Sequence, residues 1–257
     1  MEITNLILTE LFGTALLIIL GNGIVANVVL KGTKGNNAGW LSITIGWGFA
    51  VTVAALISSA FAGGAGWLNP AVTLGVMFAD MSGTALKYGV SQEQMTGIFI
   101  GIMFIQIIGA FLGQLLLDVL YLKHIKMTLE DGEFGCSNVL GMHSTGATTK
   151  SIPLNFLMEM IATFILVFAI LCLGAYNAPG YIGPVIVGIV VLSIGLSLGG
   201  TTGYAINPAR DLGPRIAHML LFKKSGSASD WTYAWIPVVA PLTGGLIAGG
   251  IMLLTTL

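Results

Sequence analysis

Gly199-Gly200-Thr201-Thr202-Gly203-Tyr204-Ala205-Ile206-Asn207-Pro208-Ala209-Arg210-Asp211-Leu212-Gly213 answers, about 140 residues later, Gly63-Gly64-Ala65-Gly66-Trp67-Leu68-Asn69-Pro70-Ala71-Val72-Thr73-Leu74-Gly75. The two stretches share the register NPAxxLG. Asn is a favoured helix N-cap, and Pro suits the first helical turn because the N–H it lacks would go unpaired there anyway. Each tripeptide therefore reads as a helix start after a glycine-rich approach. The helices that follow, 70–80 and 208–221, fall short of the ~20 residues needed to cross a bilayer. They read as half-helices, and a chain that carries one broken helix in each half reads as a pore.

Composition places these half-helices in a membrane. Of 257 residues, 55% are hydrophobic and 8% charged, which is the balance of a membrane protein. Apolar runs at 6–29, 40–61, 97–121, 154–174, 181–198 and 235–256 are each long enough to span. Six spans and two half-spans predict an all-α membrane protein with a single transmembrane domain over 1–257. Its repeats would cover 6–121 and 154–256, joined by a loop at 122–153. Met1-Glu2-Ile3-Thr4-Asn5 lacks the basic start of a cleavable signal, so the first run reads as a membrane helix. Cys136 in the loop and Cys172 inside a span imply no disulfide framework. His124, His143 and His218 read as loop or interface residues too far apart for a metal site. No P-loop, dinucleotide fingerprint or zinc motif occurs, and no basic patch suggests nucleic acid.

The repeat extends beyond the tripeptides. Glu10-Leu-Phe-Gly-Thr14 opens the first span and Glu159-Met-Ile-Ala-Thr163 the fourth, while Gln106-Ile-Ile-Gly-Ala110 is answered loosely by Pro237-Val-Val-Ala-Pro241. Three spans per repeat turn the second copy upside down, so the half-helices meet near the midplane with their positive N-terminal ends facing. Non-helical backbone at that depth survives only where it lines water or is buried in protein. Gly64, Ala65, Gly66, Trp67 and Leu68, with Thr201, Thr202, Gly203 and Ala205, are the expected carbonyl ladder. Glu10 and Glu159 are ionisable groups inside spans, which need a partner or a function.

These features together resemble the aquaporin (major intrinsic protein) family, and within it the glycerol-facilitator branch, over nearly the whole chain. The paired boxes Asn69-Pro70-Ala71 and Asn207-Pro208-Ala209, the two glutamates, and Asp211, Arg215 and Pro237 carry the resemblance. It implies an aquaporin-like bundle of six spans and two re-entrant half-helices, assembled as a homotetramer with one pore per subunit and no cofactor. By the same resemblance Asn69 and Asn207 donate into the lumen, and Glu10 and Glu159 accept from backbone N–H groups of the re-entrant loops. A proton-relay role is the alternative for the two carboxylates. The narrowest point falls at Trp47, Gly195, Tyr204 and Arg210. Gly195 is expected to leave room that a His would fill. Tyr204 stands where facilitators usually have Phe, and its hydroxyl either narrows the filter or adds an acceptor. The segment from Trp47 to Asn69 is about two residues longer than the family pattern. Trp47 keeps its place if the extra residues lie in the loop and rotates away if they lie in the helix. Asp211 and Arg215, four apart on one helix face, suit an ion pair.

The implied function is a passive channel for glycerol and other small uncharged solutes (dihydroxyacetone, urea or lactic acid) with water. A predominantly water-conducting channel is an alternative, and a coupled transporter a further one, since inverted repeats with broken helices also build those. No ionisable residues beyond Arg210 and the two glutamates were found to line the expected path, and no polar cluster for a membrane enzyme. The resemblance further implies cytoplasmic termini, which would put Lys31, Lys34, Lys123, Lys126, Lys150, Lys223 and Lys224 outside and Lys87 inside, against the positive-inside rule. Those outer lysines either concentrate anions such as lactate or are ordinary solvated loop residues. The short tails and economical loops fit a bacterial inner-membrane protein.

Overall fold

The computed structural model describes residues 2–176, 179–222 and 226–255. Lys223, Lys224 and the end of the last predicted span lie outside these residues. The described chain is helical. In order, it forms α1 (Glu2–Val29), α2 (Gly39–Ser59), α3 (Pro70–Ala79), α4 (Met81–Tyr88), α5 (Gln92–Leu129), α6 (Gly132–His143), α7 (Ile152–Cys172), α8 (Ile182–Ser197), α9 (Pro208–Phe222) and α10 (Ile236–Leu254). Helices α1, α2, α5, α7 with its following 3-10 turn, and α10 are long and apolar enough to cross a membrane. Helix α8 is apolar but has 16 residues, about 24 Å at 1.5 Å per residue. It stops short because Gly199 and Gly200 lead directly into the second re-entrant stretch. Phe12, Phe49, Phe104 and Leu112 are exposed on the outside of the bundle, where a bilayer would cover them.

The predicted half-helices form as α3 and α9, of 10 and 15 residues. Their starts follow from local chemistry. Asn69 Oδ1 accepts from Ala71 N at 2.9 Å, and Asn207 Oδ1 from Ala209 N at 3.0 Å, each with Pro next in sequence. The two halves repeat one packing scheme. Helix α1 lies against α2 and α5, and α7 against α8 and α10. The half-helices cross over: α3 packs mainly on α10 and α9 mainly on α5. The closing glycines of the two NPAxxLG frames allow this. A Cβ on Gly75 would lie 3.1 Å from Gly245 O and 2.4 Å from a Val167 methyl, and one on Gly213 would lie 2.8 Å from Ile107 O. Only hydrogen fits between backbones that close.

Segment 122–153 is not the loop that hydropathy suggests. Helix α5 continues to Leu129, and α6 places Cys136 on a helix that packs against α1, α5 and α9. Two histidines expected apart are together: the rings of His143 and His218 are 5.0 Å apart and buried, and His143 Nε2 lies 3.0 Å from Asp118 Oδ1. Helices α6 and α9 converge here, a contact that spacing along the chain does not reveal.

Candidate functional site

The two re-entrant stretches meet at their Asn-Pro-Ala boxes. Asn69 Nδ2 donates to Ile206 O at 2.8 Å, and Asn207 Nδ2 donates to Leu68 O at 2.9 Å. Each amide thus binds the carbonyl just before the opposite box, and each keeps a second N–H. Two helix N-termini meet at this point, so their partial positive charges add. Asn69 and Asn207 both line a cavity of about 280 Å³.

That cavity is lined by Ala65, Gly66, Trp67 and Leu68 of the first re-entrant stretch, Ala205 and Ile206 of the second, and apolar Val51, Ala55, Val187 and Val191 from α2 and α8. Gly64, Thr201, Thr202 and Gly203 lie outside this lining. Gly64 faces the end of α2, where a Cβ would meet Ser58 O, and Thr201 O accepts from Thr148 N at 2.9 Å. Ile206, the last residue of the second glycine-rich stretch, takes a place in the lining. Leu68, Tyr204 and Ile206 have positive φ (55°, 38° and 44°) despite carrying side chains. Such backbone costs on the order of 1–3 kcal/mol per residue and persists only where its surroundings over-determine it.

The surroundings here are two buried carboxylates. Glu10 accepts from Trp67 N at 2.8 Å and Leu68 N at 2.7 Å; Glu159 accepts from Ala205 N and Ile206 N, both at 2.9 Å. Each therefore holds the backbone just before one box. Gln106 Nε2 adds a donor to Glu10 at 2.7 Å and reaches Thr73 Oγ1 at 2.9 Å, tying the first loop to α3. An amide in the middle of an apolar run is the signal that could have identified Gln106.

Trp47, Tyr204 and Arg210 line the same cavity, all at least nine-tenths buried. The Arg210 guanidinium stacks over the Trp47 ring, 4.4 Å from its centroid. Helix α2 ends at Ser59, and Trp47 is buried and faces the cavity. Arg210 Nη1 and the Tyr204 hydroxyl find no hydrogen-bond partner among the described residues. Gly195 does not line the cavity. A Cβ there would sit 2.8 Å from Tyr204 Cζ, 3.0 Å from its hydroxyl oxygen and 2.8 Å from a Thr44 methyl. The space expected to be open at Gly195 is filled by the Tyr204 ring.

Behind the constriction, Arg215 Nε donates to Asp211 Oδ1 at 2.8 Å, with both side chains fully buried. Arg215 also reaches the carbonyls of Thr145 and Ser229, each at 2.7 Å, while the backbone N–H and hydroxyl of Thr145 donate to Asp211 Oδ2, each at 2.8 Å. These bonds pin the segments flanking α7 and α10 to α9. Thr145 carries no sequence signal. Pro237 stands in the first turn of α10, away from the cavity lining. No group of three or more metal-ligating His, Cys, Asp or Glu side chains occurs among the described residues.

Apolar spans around two half-helices that meet tip to tip define a multi-pass integral membrane protein of the inverted-repeat, re-entrant-loop class. A family model described as major intrinsic protein matches residues 1–252. The chain is 44% identical over 244 residues to the glycerol uptake facilitator protein of Streptococcus pneumoniae serotype 4, covering 95% of this chain and 96% of that one. It is 42% identical over 241 residues to glycerol uptake facilitator protein 3 of Lactiplantibacillus plantarum, covering 94% and 92%. The aquaglyceroporin of Plasmodium falciparum superposes with a TM-score of 0.77 at 28% identity, covering 96% of this chain and 94% of that one. The chain belongs to the major intrinsic protein family.

Proposed function

We propose that the protein is a passive channel for glycerol, with water and other small neutral solutes such as dihydroxyacetone and urea, and that it excludes ions and protons. It would work as a homotetramer of single-domain subunits, each with its own pore between inverted repeats. The observation that carries this reading is the pairing of Arg210 and Trp47 in the cavity lining. A buried guanidinium with an unpaired N–H lies over the Trp47 ring in a mostly apolar lining. A polyol has one hydroxyl edge and one alkyl edge, and this lining offers donors to the first and apolar faces to the second.

Passage is an exchange of partners. At Trp47, Tyr204 and Arg210 a hydroxyl leaves water and accepts from Arg210, then donates to the carbonyls of 205–206, with those of 65–68 taking it up beyond the Asn69 and Asn207 donors. At Asn69 and Asn207 it accepts again. Each neutral hydrogen bond is worth about 1 kcal/mol net, so a solute is guided without being trapped. A cation meets the guanidinium first and then two helix N-termini, and its lost hydration is not returned. Gly195 and Gly199 would serve the filter by seating Tyr204. Glu10, Glu159 and Gln106 would hold the carbonyls in place.

A channel and a coupled transporter differ in kinetics. Flux through reconstituted protein should rise linearly with glycerol concentration and ignore an imposed proton gradient. Saturation together with acceleration by the gradient would refute the channel reading.

A further inference from the structure

We infer that Trp40, outside the cavity lining, is a specificity-determining positioning residue that sets the bore of the filter by clamping Tyr204 into a slot on α8. The inference rests on the filter reading above and extends it to a residue that does not touch the solute. Three observations carry it. The Tyr204 ring lies along Gly195 and Gly199, four apart: a Cβ on Gly195 would strike its tip at 2.8 Å, and one on Gly199 would strike Cδ1 at 2.4 Å. The Trp40 ring meets Tyr204 edge-on, with centroids 5.6 Å apart at 79°. The Trp40 indole N–H also donates to Gly195 O at 3.0 Å. That carbonyl is left over at the end of α8, because Gly199 N bonds Ile194 O instead.

The Tyr204 ring is therefore bounded by glycine backbone on one face and an indole edge at its flank, with the cavity on the remaining side. Its own hydroxyl has no partner among the described residues to fix it. Its backbone, at a φ of 38°, is held by Gly203 N donating to Gly199 O at 2.9 Å. The ring angle thus depends on the Trp40 contact. With Trp40 removed, the ring swings into the vacated space, away from the lumen, and the filter widens.

The test is the erythritol-to-glycerol permeability ratio in proteoliposomes, which does not depend on how much protein is incorporated. Trp40→Ala should raise it roughly three- to tenfold, the range expected for losing one edge-to-face ring contact. Trp40→Leu gives the same readout if the alanine variant fails to fold. Trp40→Phe, which keeps a ring edge, should stay within about twofold of the unaltered protein. In a Tyr204→Ala background, which itself raises the ratio, Trp40→Ala should add nothing. An unchanged or lowered ratio in Trp40→Ala, or the same multiplication in both backgrounds, overturns the inference while the filter reading stands. If Tyr204→Ala leaves the ratio unchanged, the filter reading fails and the inference with it.

Discussion

Gly195→Ala adds one methyl group where the filter has no space for it. The new Cβ would lie 2.8 Å from both Tyr204 Cζ and a Thr44 methyl, whereas carbon atoms pack at about 3.5–4.0 Å. Thr44 is fully buried on α2, and the Trp40 edge limits sideways movement of the Tyr204 ring. The ring tip must shift by roughly 1 Å, and its open direction is the lumen. Overpacking of this kind costs about 1–3 kcal/mol. Expressed at the barrier for a solute that already fills the constriction, that is roughly a five- to 150-fold fall in glycerol permeability. Water is smaller and should lose much less. Stopped-flow light scattering on proteoliposomes measures both permeabilities in one preparation. Tyr204→Leu in the Gly195→Ala background should restore glycerol flux by removing the atoms that clash. Unchanged glycerol flux through folded Gly195→Ala protein would refute the placement of Tyr204 over Gly195.

Other perturbations separate support from selectivity. Glu159→Gln sets an amide N–H against the N–H of Ala205 or Ile206, leaving a buried donor unpaired at about 1–3 kcal/mol. Faster hydrogen exchange at residues 203–206 and lower glycerol flux should follow, and unchanged exchange would remove the supporting role. Arg215→Met strands the buried Asp211 carboxylate, which should destabilise by about 3–5 kcal/mol and lower the melting temperature in detergent. Arg215→Met with Asp211→Leu should recover part of the loss, and no recovery would mean that the carbonyl contacts of Arg215 dominate. At the surface, the Asp131 carboxylate 2.6 Å away holds the Lys31 ammonium above the ordinary lysine range. The pair's contribution is therefore present below the unfolded lysine pKa and lost as pH rises through the raised folded value. Permeability should stay flat over about pH 6–9, and Lys31→Ala should leave the glycerol-to-water ratio unchanged. A change in that ratio would place Lys31 on the solute path.

The half-helices were legible because their cause is local: an Asn cap, a Pro without an N–H, and a glycine-rich approach can be read wherever they occur. The repeat of Glu10 and Glu159 was equally plain, since a carboxylate in an apolar run demands a partner. The facing of Trp47 depends on its rotation about the α2 axis, which the length of the segment to Asn69 leaves open and its burial in the cavity lining fixes. Helix α6 was missed because its sequence, with Gly132, Gly135 and Gly141, has weak amphipathic periodicity. Its helical form comes with packing against α1, α5 and α9. Gly195 was read as open volume because a glycine in a sequence shows missing atoms but not what takes their place. Tyr204 and Thr44 fill that space, and the Trp40 hydrogen bond to the Gly195 carbonyl joins residues 155 apart. Thr145 and Gln106 are long-range partners of the same kind.

The constriction at Trp47, Tyr204 and Arg210 is proposed to pass a polyol while blocking charge. Vesicles carrying an internal pH dye, mixed rapidly with glycerol in a stopped-flow instrument, report solute influx and proton movement together. Glycerol influx should run far above that of empty vesicles, with internal pH no more mobile than in the empty controls. Proton movement that accompanies glycerol, or water flux without any glycerol flux, would contradict the proposal.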